Sequence, residues 1–199
     1  MKAALSVVAA SVVTMCLLAA SNAAAFTASA PSTAPATRSD VIRVAMEPQG
    51  QVKPQFQRRL VRLATNEEPG TIIIDTNNKY LYLVEGNNRA RRYGIGVGRD
   101  GFGWSGVVKV GRKAEWPGWT PPSQMLLRRP DLPSHMDGGI GNPLGARAMY
   151  LGSSLFRIHG TNEPWTIGHN VSSGCIRMMN QDVIDLYNRV PVGTKVIVI

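Results

Sequence analysis

The chain has 199 residues, of which 44% are hydrophobic and 18% are charged, and its formal net charge is +9 at pH 7. This composition excludes wholesale disorder and fits one domain with its own hydrophobic core. The positive charge favours polyanionic partners, but the sequence has neither zinc-finger spacing nor an aromatic RNA-binding signature, so we expect no nucleic acid partner. Nothing in the sequence indicates the oligomeric state.

Residues 1–25 have the pattern of a secretory signal peptide that is cleaved. A lysine precedes an apolar, alanine-rich run, and the small residues that follow suit cleavage after Ala23 or Ala25. An uncleaved membrane anchor is the alternative, because the run approaches the length that spans a bilayer. Cleavage would leave the mature chain outside the cytoplasm.

Cys175 is expected to be the only cysteine of the mature chain. Cleavage of the signal peptide would remove Cys16 and leave Cys175 as the only cysteine. A lone thiol in an oxidising compartment cannot form an internal disulfide, so it is either buried and inert or retained for its reactivity.

Residues 26–68 are predicted to form a flexible linker. Its first part, 26–51, is rich in Ala, Ser, Thr and Pro and has no sustained hydrophobic period. Further on, residues 55–64 (QFQRRLVRLA) combine arginines with leucine and valine. That pattern fits a short basic helix near a membrane surface or a solvated linker helix.

Residues 69–199 are predicted to form a folded domain that is mostly β. A stripe of apolar residues predicts one helix at 181–190, which ends at a proline and a glycine. Short runs of β-branched, aromatic and leucine residues between turn signals predict strands at 71–75, 79–84, 90–98, 107–110, 149–151, 156–159 and 195–199.

The segment 116–143 interrupts this pattern. It is rich in proline, glycine and tryptophan, so it cannot form regular sheet or a long helix. Irregular segments of this length are usually functional or disordered. Because its two tryptophans, Met125 and Leu126 can anchor it to the body of the domain, we expect an ordered lid beside the functional site.

The stretch 159–180, HGTNEPWTIGHNVSSGCIRMMN, combines Cys175 with two of the three histidines. A cysteine attacks a carbonyl as thiolate, and a neighbouring imidazole helps to populate that form. His159 lies at the end of a predicted strand that would hold it rigidly, whereas His169 lies in a looser context. His159 is therefore the better candidate for the base.

The glycine before the cysteine points to an oxyanion hole. Gly174 permits a sharp backbone turn, and the candidate donors are the backbone N–H groups of Ser173, Gly174 and Cys175. Two other interpretations stay open. The cysteine can be an inert core residue, or it can form a zinc site with His159 and His169, although no close ligand pair such as C-x-x-C anchors such a site.

This stretch closely resembles the catalytic motif of YkuD-type L,D-transpeptidases. The matching residues are HGT at 159–161, IG at 167–168, SSGCIRM at 172–178 and Asn180. The runs WTPP at 119–122 and NPLG at 142–145 resemble the Gram-negative branch of that family. The similarity extends over about residues 69–199.

The resemblance implies a mostly β catalytic domain, a mixed-sheet sandwich or barrel-like fold with one short helix after the cysteine. It also implies a periplasmic enzyme of peptidoglycan remodelling that uses no metal and no cofactor. Cys175 would attack a tetrapeptide stem, release the terminal D-alanine and pass the acyl group to an amine of a second stem peptide or of an outer-membrane lipoprotein. A peptidoglycan hydrolase would deliver the same thioester to water, and a wall-binding module with a degenerate site would leave Cys175 unreactive.

The resemblance also implies residue roles. His159 corresponds to the general base and acid, and the backbone carbonyl of Gly160 would orient its other ring nitrogen. Many members carry a histidine where this chain has Ser173. His135 and His169 are expected to have surface or loop roles, and the candidate substrate contacts are Arg177, Trp165, Tyr150 and Asn180.

Overall fold

The computed structural model describes residues 52–199. The strands in this range are β1 (Arg59–Arg62), β2 (Ile72–Asp75), β3 (Tyr80–Gly86), β4 (Arg89–Gly98), β5 (Gly106–Glu115), β6 (Arg147–Leu151), β7 (Arg157–His159), β8 (Asn170–Ser172), β9 (Ile176–Met178) and β10 (Lys195–Val198). The α-helices are α1 (Ser123–Arg128) and α2 (Asn180–Arg189), and short 3-10 turns occur at Pro54–Phe56 and Pro164–Thr166. No helix in the described range is both long and apolar enough to cross a membrane. The predictions for residues 1–25 and 26–51 lie outside it.

The strands form because apolar side chains alternate toward one core. In β2, Ile72 and Ile74 are fully buried, whereas the residue between them is only half-buried. Leu81 and Leu83 of β3 repeat this alternation, as expected for side chains that point to opposite faces of a strand. Other core members are Tyr93, Ile95, Val110, Met149, Leu151, Ile158, Ile176, Met178, Leu186 and Val196. Each contributes about 1.5–3 kcal/mol through burial.

The paired strands form a closed, barrel-like ring. Hydrogen-bonded neighbours follow the order β4-β3-β2-β10-β5-β6-β7-β9, and β9 pairs back onto β4. Strands β1 and β8 also pair with β4. The pairs β2–β10, β4–β8 and β7–β9 are parallel and the others antiparallel. The prediction of a mostly β, mixed and barrel-like fold with a short helix after Cys175 is confirmed.

Residues 54–62 belong to this fold, which corrects the linker prediction for that part of the chain. Phe56 is buried and packs against Tyr80 with ring centroids 5.6 Å apart. The predicted basic helix is wrong, because β1 pairs antiparallel with the start of β4. Arg58 of this segment forms ion pairs with Asp182 and Asp185 at 3.7 and 3.1 Å. Arg92 of β4 donates to the carbonyl of Gln55 at 3.1 Å.

The segment 116–143 contains helix α1 and is otherwise irregular, as predicted. Trp119 and Met136 form an isolated antiparallel bridge, with N···O distances of 2.7 and 2.8 Å. Just after β7, the side chain of Asn162 donates to the carbonyl of Gly141 at 3.0 Å. The segment is therefore tied to the chain that follows the first motif histidine. Its role as a lid stays a prediction.

Candidate active site

Strands β7 and β9 bring the two ends of the motif onto one surface. They pair in parallel, with Ile158 opposite Ile176 and His159 opposite Arg177. Both isoleucines are buried in the core. Because side chains alternate along a strand, His159 and Arg177 project from the other face, and continuing the alternation by one residue places Cys175 there too. The candidate base and nucleophile thus lie on neighbouring strands.

A tight turn between β8 and β9 presents Cys175. The hydroxyl of Ser172 donates to the Cys175 carbonyl at 2.6 Å and accepts from the Gly174 N–H at 3.1 Å. Gly174 has a φ of +102°, a conformation that L side chains rarely adopt. A Cβ at this position would also lie 2.5 Å from Cε1 of Phe156. Both backbone and space therefore require glycine before the cysteine.

Two aromatic residues hold this turn in place. The indole Nε1–H of Trp104 donates to the Gly174 carbonyl at 2.9 Å. The Trp104 ring stacks on Phe156 with centroids 4.6 Å apart. No role was predicted for either residue from the sequence, because neither side chain carries catalytic chemistry of its own. The signal that could have identified Trp104 is its position in the glycine-rich loop 101–106, where a large aromatic side chain stands among glycines just before β5.

The turn uses one of the three predicted oxyanion-hole donors internally. Since the N–H of Gly174 donates to Ser172 Oγ, the N–H groups of Ser173 and Cys175 are the better candidates. The Oγ of Ser173 is buried and has no hydrogen-bond partner within the described residues. A buried polar atom of this kind is stabilised when a bound group supplies its hydrogen bond.

His159 is held as a neutral imidazole. It is 4% exposed, and its Nδ1 lies 2.6 Å from the carbonyl oxygen of Gly160. A carbonyl oxygen only accepts, so Nδ1 carries the proton and Nε2 keeps its lone pair. Burial first and then the charge of Arg177 lower the pKa of His159 to about 3, Arg157 acts in the same direction, and the hydrogen bond to Gly160 opposes them. The ring is therefore uncharged at neutral pH.

Asn180 supports the histidine, and its contact with a substrate stays a prediction. Its buried Oδ1 accepts from the N–H groups of Ala146 at 2.9 Å and Thr161 at 3.3 Å, and its Nδ2 donates to the Thr161 carbonyl at 2.8 Å. A Cβ on Gly160 would overlap Oδ1, so glycine permits this close approach. The amide fixes the backbone around Gly160, whose carbonyl in turn orients His159.

The other predicted substrate contacts differ in their exposure to solvent and in whether they already have a partner in the protein. Arg177 is ion-paired with Glu163 at 2.7 Å, so its charge already has a partner. Trp165, in the turn Pro164–Thr166, is 56% exposed, and so presents a large apolar surface to solvent. Tyr150 is half-buried on β6.

Arg157 is a candidate that the sequence analysis missed. Its Nη1 lies 3.9 Å from Sγ of Cys175. It stands two residues before His159 on β7, and the alternation of a strand puts both on the same face. Counting back from the predicted base along the predicted strand would have placed Arg157 on the face of His159, but not beside Cys175.

The two other histidines lie in exposed positions. His169 is exposed after the turn Pro164–Thr166. His135 is exposed within the segment 116–143, where its Nδ1 lies 2.9 Å from Thr120 Oγ1. Across residues 52–199, no group of three or more His, Cys, Asp or Glu side chains is placed to hold a metal ion.

Comparisons with known proteins agree with this geometry. A family model described as the L,D-transpeptidase catalytic domain (YkuD) matches residues 69–198. The chain is 37% identical over 135 residues to the probable L,D-transpeptidase YbiS of Escherichia coli K12, covering 64% of this chain and 43% of that protein. This chain thus spans less than half the length of YbiS. YbiS comes from a Gram-negative bacterium, the branch of the family that the sequence motifs had indicated.

Solved structures give the fold and no more. An L,D-transpeptidase from Mycobacterium smegmatis superposes with a TM-score of 0.53 at 18% identity, over 65% of this chain and 58% of the other. A Brucella melitensis chain described as a probable carnitine operon oxidoreductase is 45% identical over 80% of this chain and 99% of the other. Its TM-score of 0.49 is too low to support a conclusion.

Proposed function

Because the chain belongs to the L,D-transpeptidase catalytic domain family, we propose that it is an L,D-transpeptidase with Cys175 as its nucleophile. The observation that carries the proposal is the register of β7 and β9. Cys175 and His159, the proposed nucleophile and base, lie on one face by this register, and the turn beside them uses the Gly174 N–H internally, which leaves those of Ser173 and Cys175 as the proposed oxyanion donors. Nucleophile, base and oxyanion donors are the parts that acyl transfer requires.

In the first half-reaction, Cys175 Sγ attacks the carbonyl before the last residue of a tetrapeptide stem. His159 Nε2 takes the thiol proton, while the N–H groups of Ser173 and Cys175 receive the developing oxyanion. The C–S bond forms, the C–N bond breaks, and the proton passes from His159 to the leaving amine. The products are a thioester on Cys175 and free D-alanine.

In the second half-reaction, an amine attacks the thioester. A new C–N bond forms, the C–S bond breaks, and the amine proton returns to the sulfur through His159. The acceptor that we propose is an amine of a second stem peptide or of an outer-membrane lipoprotein. The predicted signal peptide supports a periplasmic location for this reaction, where peptidoglycan is available.

The test is an assay of purified protein with a disaccharide-tetrapeptide and analysis of the products by mass spectrometry. We expect loss of D-alanine and formation of cross-linked dimers, or of a lipoprotein conjugate when that acceptor is added. Cys175→Ala and His159→Ala should each abolish the reaction. His169→Ala is the matched control, because it removes an exposed imidazole from the same stretch, and its turnover should equal that of the wild type.

Two outcomes would count against the proposal. Turnover by Cys175→Ala would exclude the cysteine as nucleophile. Products that are only shortened and never joined would show that water is the acceptor, and the chain would then be a peptidoglycan hydrolase.

A further inference from the structure

A row of cationic and aromatic side chains crosses the sheet and ends at the nucleophile. On paired strands, Arg112 of β5 lies opposite Tyr150 of β6, and Tyr150 lies opposite Arg157 of β7. Continuing the parallel register of β7 and β9 by one residue places Cys175 opposite Arg157. Residues opposite one another on paired strands share a face and touch. The fold thus aligns four side chains in one direction.

The contacts within this row are close. The guanidinium carbon of Arg112 lies 3.6 Å from the centre of the Tyr150 ring, and that of Arg157 lies 5.2 Å from it. Arg157 Nη1 lies 3.9 Å from Cys175 Sγ. The phenol ring therefore separates two guanidinium groups, and the inner one is directed at the thiol.

The two arginines of this row have no acidic partner within the described residues, unlike others near the site. Arg177 is paired with Glu163 and Arg147 with Glu115, whereas Arg112 and Arg157 make no ion pair with a described carboxylate. The Nε of Arg157 is buried without an acceptor among the described residues, as are those of Arg147 and Arg177, so the missing carboxylate partner is what sets Arg157 apart. Arg112 is exposed and Arg157 is half-buried, so the desolvation cost falls mainly on Arg157, where the negative charge of a ligand would offset it. These observations point to an anionic ligand beside Cys175.

We propose that Arg157, supported by Arg112 across the Tyr150 ring, binds the free carboxylate of the leaving residue of the donor peptide. The inference rests on the proposed function and concerns Arg157, which was not among the predicted substrate contacts. The carboxylate carbon lies three bonds beyond the scissile carbonyl carbon, so a guanidinium this close to Sγ can reach it during attack. Guanidinium groups bind carboxylates through two parallel hydrogen bonds.

The consequence is a defined donor class. The site would select peptides that end one residue after the scissile bond, and it would reject internal peptide bonds, which have an amide at this position. Ser173 Oγ, also buried without a partner, is available on the turn that carries the nucleophile.

The test measures binding in the Cys175→Ala background, where no thiolate is present for Arg157 to stabilise. The ligands are a tetrapeptide stem with a free C-terminal carboxylate and the same peptide as a C-terminal carboxamide, titrated by calorimetry. We expect the carboxylate form to bind about 10- to 100-fold more tightly, the range of a charge-assisted bidentate contact. Adding Arg157→Gln should reduce that preference to about threefold or less by weakening only the carboxylate form.

Controls separate this role from a structural one. Arg157→Lys keeps the charge without the planar fork, so it should retain an intermediate preference. Arg89→Gln removes an exposed arginine of β4 and should leave the preference intact. The proposal is wrong when the Cys175→Ala protein shows no preference, when Arg157→Gln keeps it, or when both peptides lose affinity equally. Failure of the proposed function would appear separately, as absence of turnover by the protein with its cysteine intact.

Discussion

Replacing Gly174 with alanine tests whether the turn before the nucleophile depends on glycine for both its conformation and its space. The positive φ of +102° costs a residue with a Cβ about 1–2 kcal/mol. The new methyl group would lie 2.5 Å from Phe156 Cε1, so the ring must move away from its stack on Trp104. Losing that aromatic pair costs about 0.5–1.5 kcal/mol more. We therefore expect Gly174→Ala to lower the free energy of unfolding by about 2–3 kcal/mol.

Gly193→Ala is the matched control for the Gly174 substitution. Gly193 has a similar φ of +93°, but no atom lies within 4 Å of its added Cβ, so only the conformational cost of about 1–2 kcal/mol applies. Urea denaturation measures stability, and the rate of Cys175 acylation by a donor peptide measures the site. Acylation should fall about 100-fold or more in Gly174→Ala, because displacing the nucleophile disrupts its geometry, and it should change little in Gly193→Ala. Equal effects of both variants on acylation would refute the reasoning.

Two further predictions concern buried charges. Burial and then Arg177 lower the pKa of His159 to about 3, so the acid limb of kcat/KM that belongs to His159 should lie well below pH 6.5. Arg177→Met should move this limb to higher pH. A pH–rate profile in which the limb does not move would contradict this prediction. Burial first raises the pKa of Asp182 from 3.8 to about 6, so its contribution to stability is complete below pH 3.8 and is lost as pH rises through 6. Asp182→Asn should therefore raise the free energy of unfolding by about 1–2 kcal/mol at pH 7.5 but not at pH 4, as measured by urea denaturation. Equal effects at both pH values would exclude the charge of Asp182 as the cause.

The sequence predicted the strands whose side chains alternate into the core and missed those that depend on a partner. The isoleucines of β2 and the leucines of β3 have the period of a half-buried strand, so their elements were found. Strand β1 has arginines at both ends and no buried residue, and it exists because β4 offers an edge to pair with. Strands β8 and β9 are only three residues each, too short to show a period. Such elements are fixed by tertiary pairing.

The same limit applies to the site. Cys175, His159 and Gly174 could be predicted because their chemistry or backbone freedom is a property of the residue itself. Arg157 could not be recognised as a neighbour of the thiol, because this contact follows from the parallel register of β7 and β9. The contacts of Asn180 with the backbone could not be predicted either, because the sequence shows that a residue is polar but does not show its partners.

Burial is the largest cause of the low pKa of His159, and the nearby arginines lower that pKa further by an amount that would change when a donor binds. Arg177 and Arg157 disfavour the imidazolium in the free protein, and of these two only Arg177 has a carboxylate partner among residues 52–199. A donor carboxylate on Arg157 would cancel part of that positive field, so His159 would become a better base when substrate is in place. Because the proton passes to the leaving amine before the leaving residue departs, the unpaired arginine would assist proton uptake by His159 only while the donor is bound.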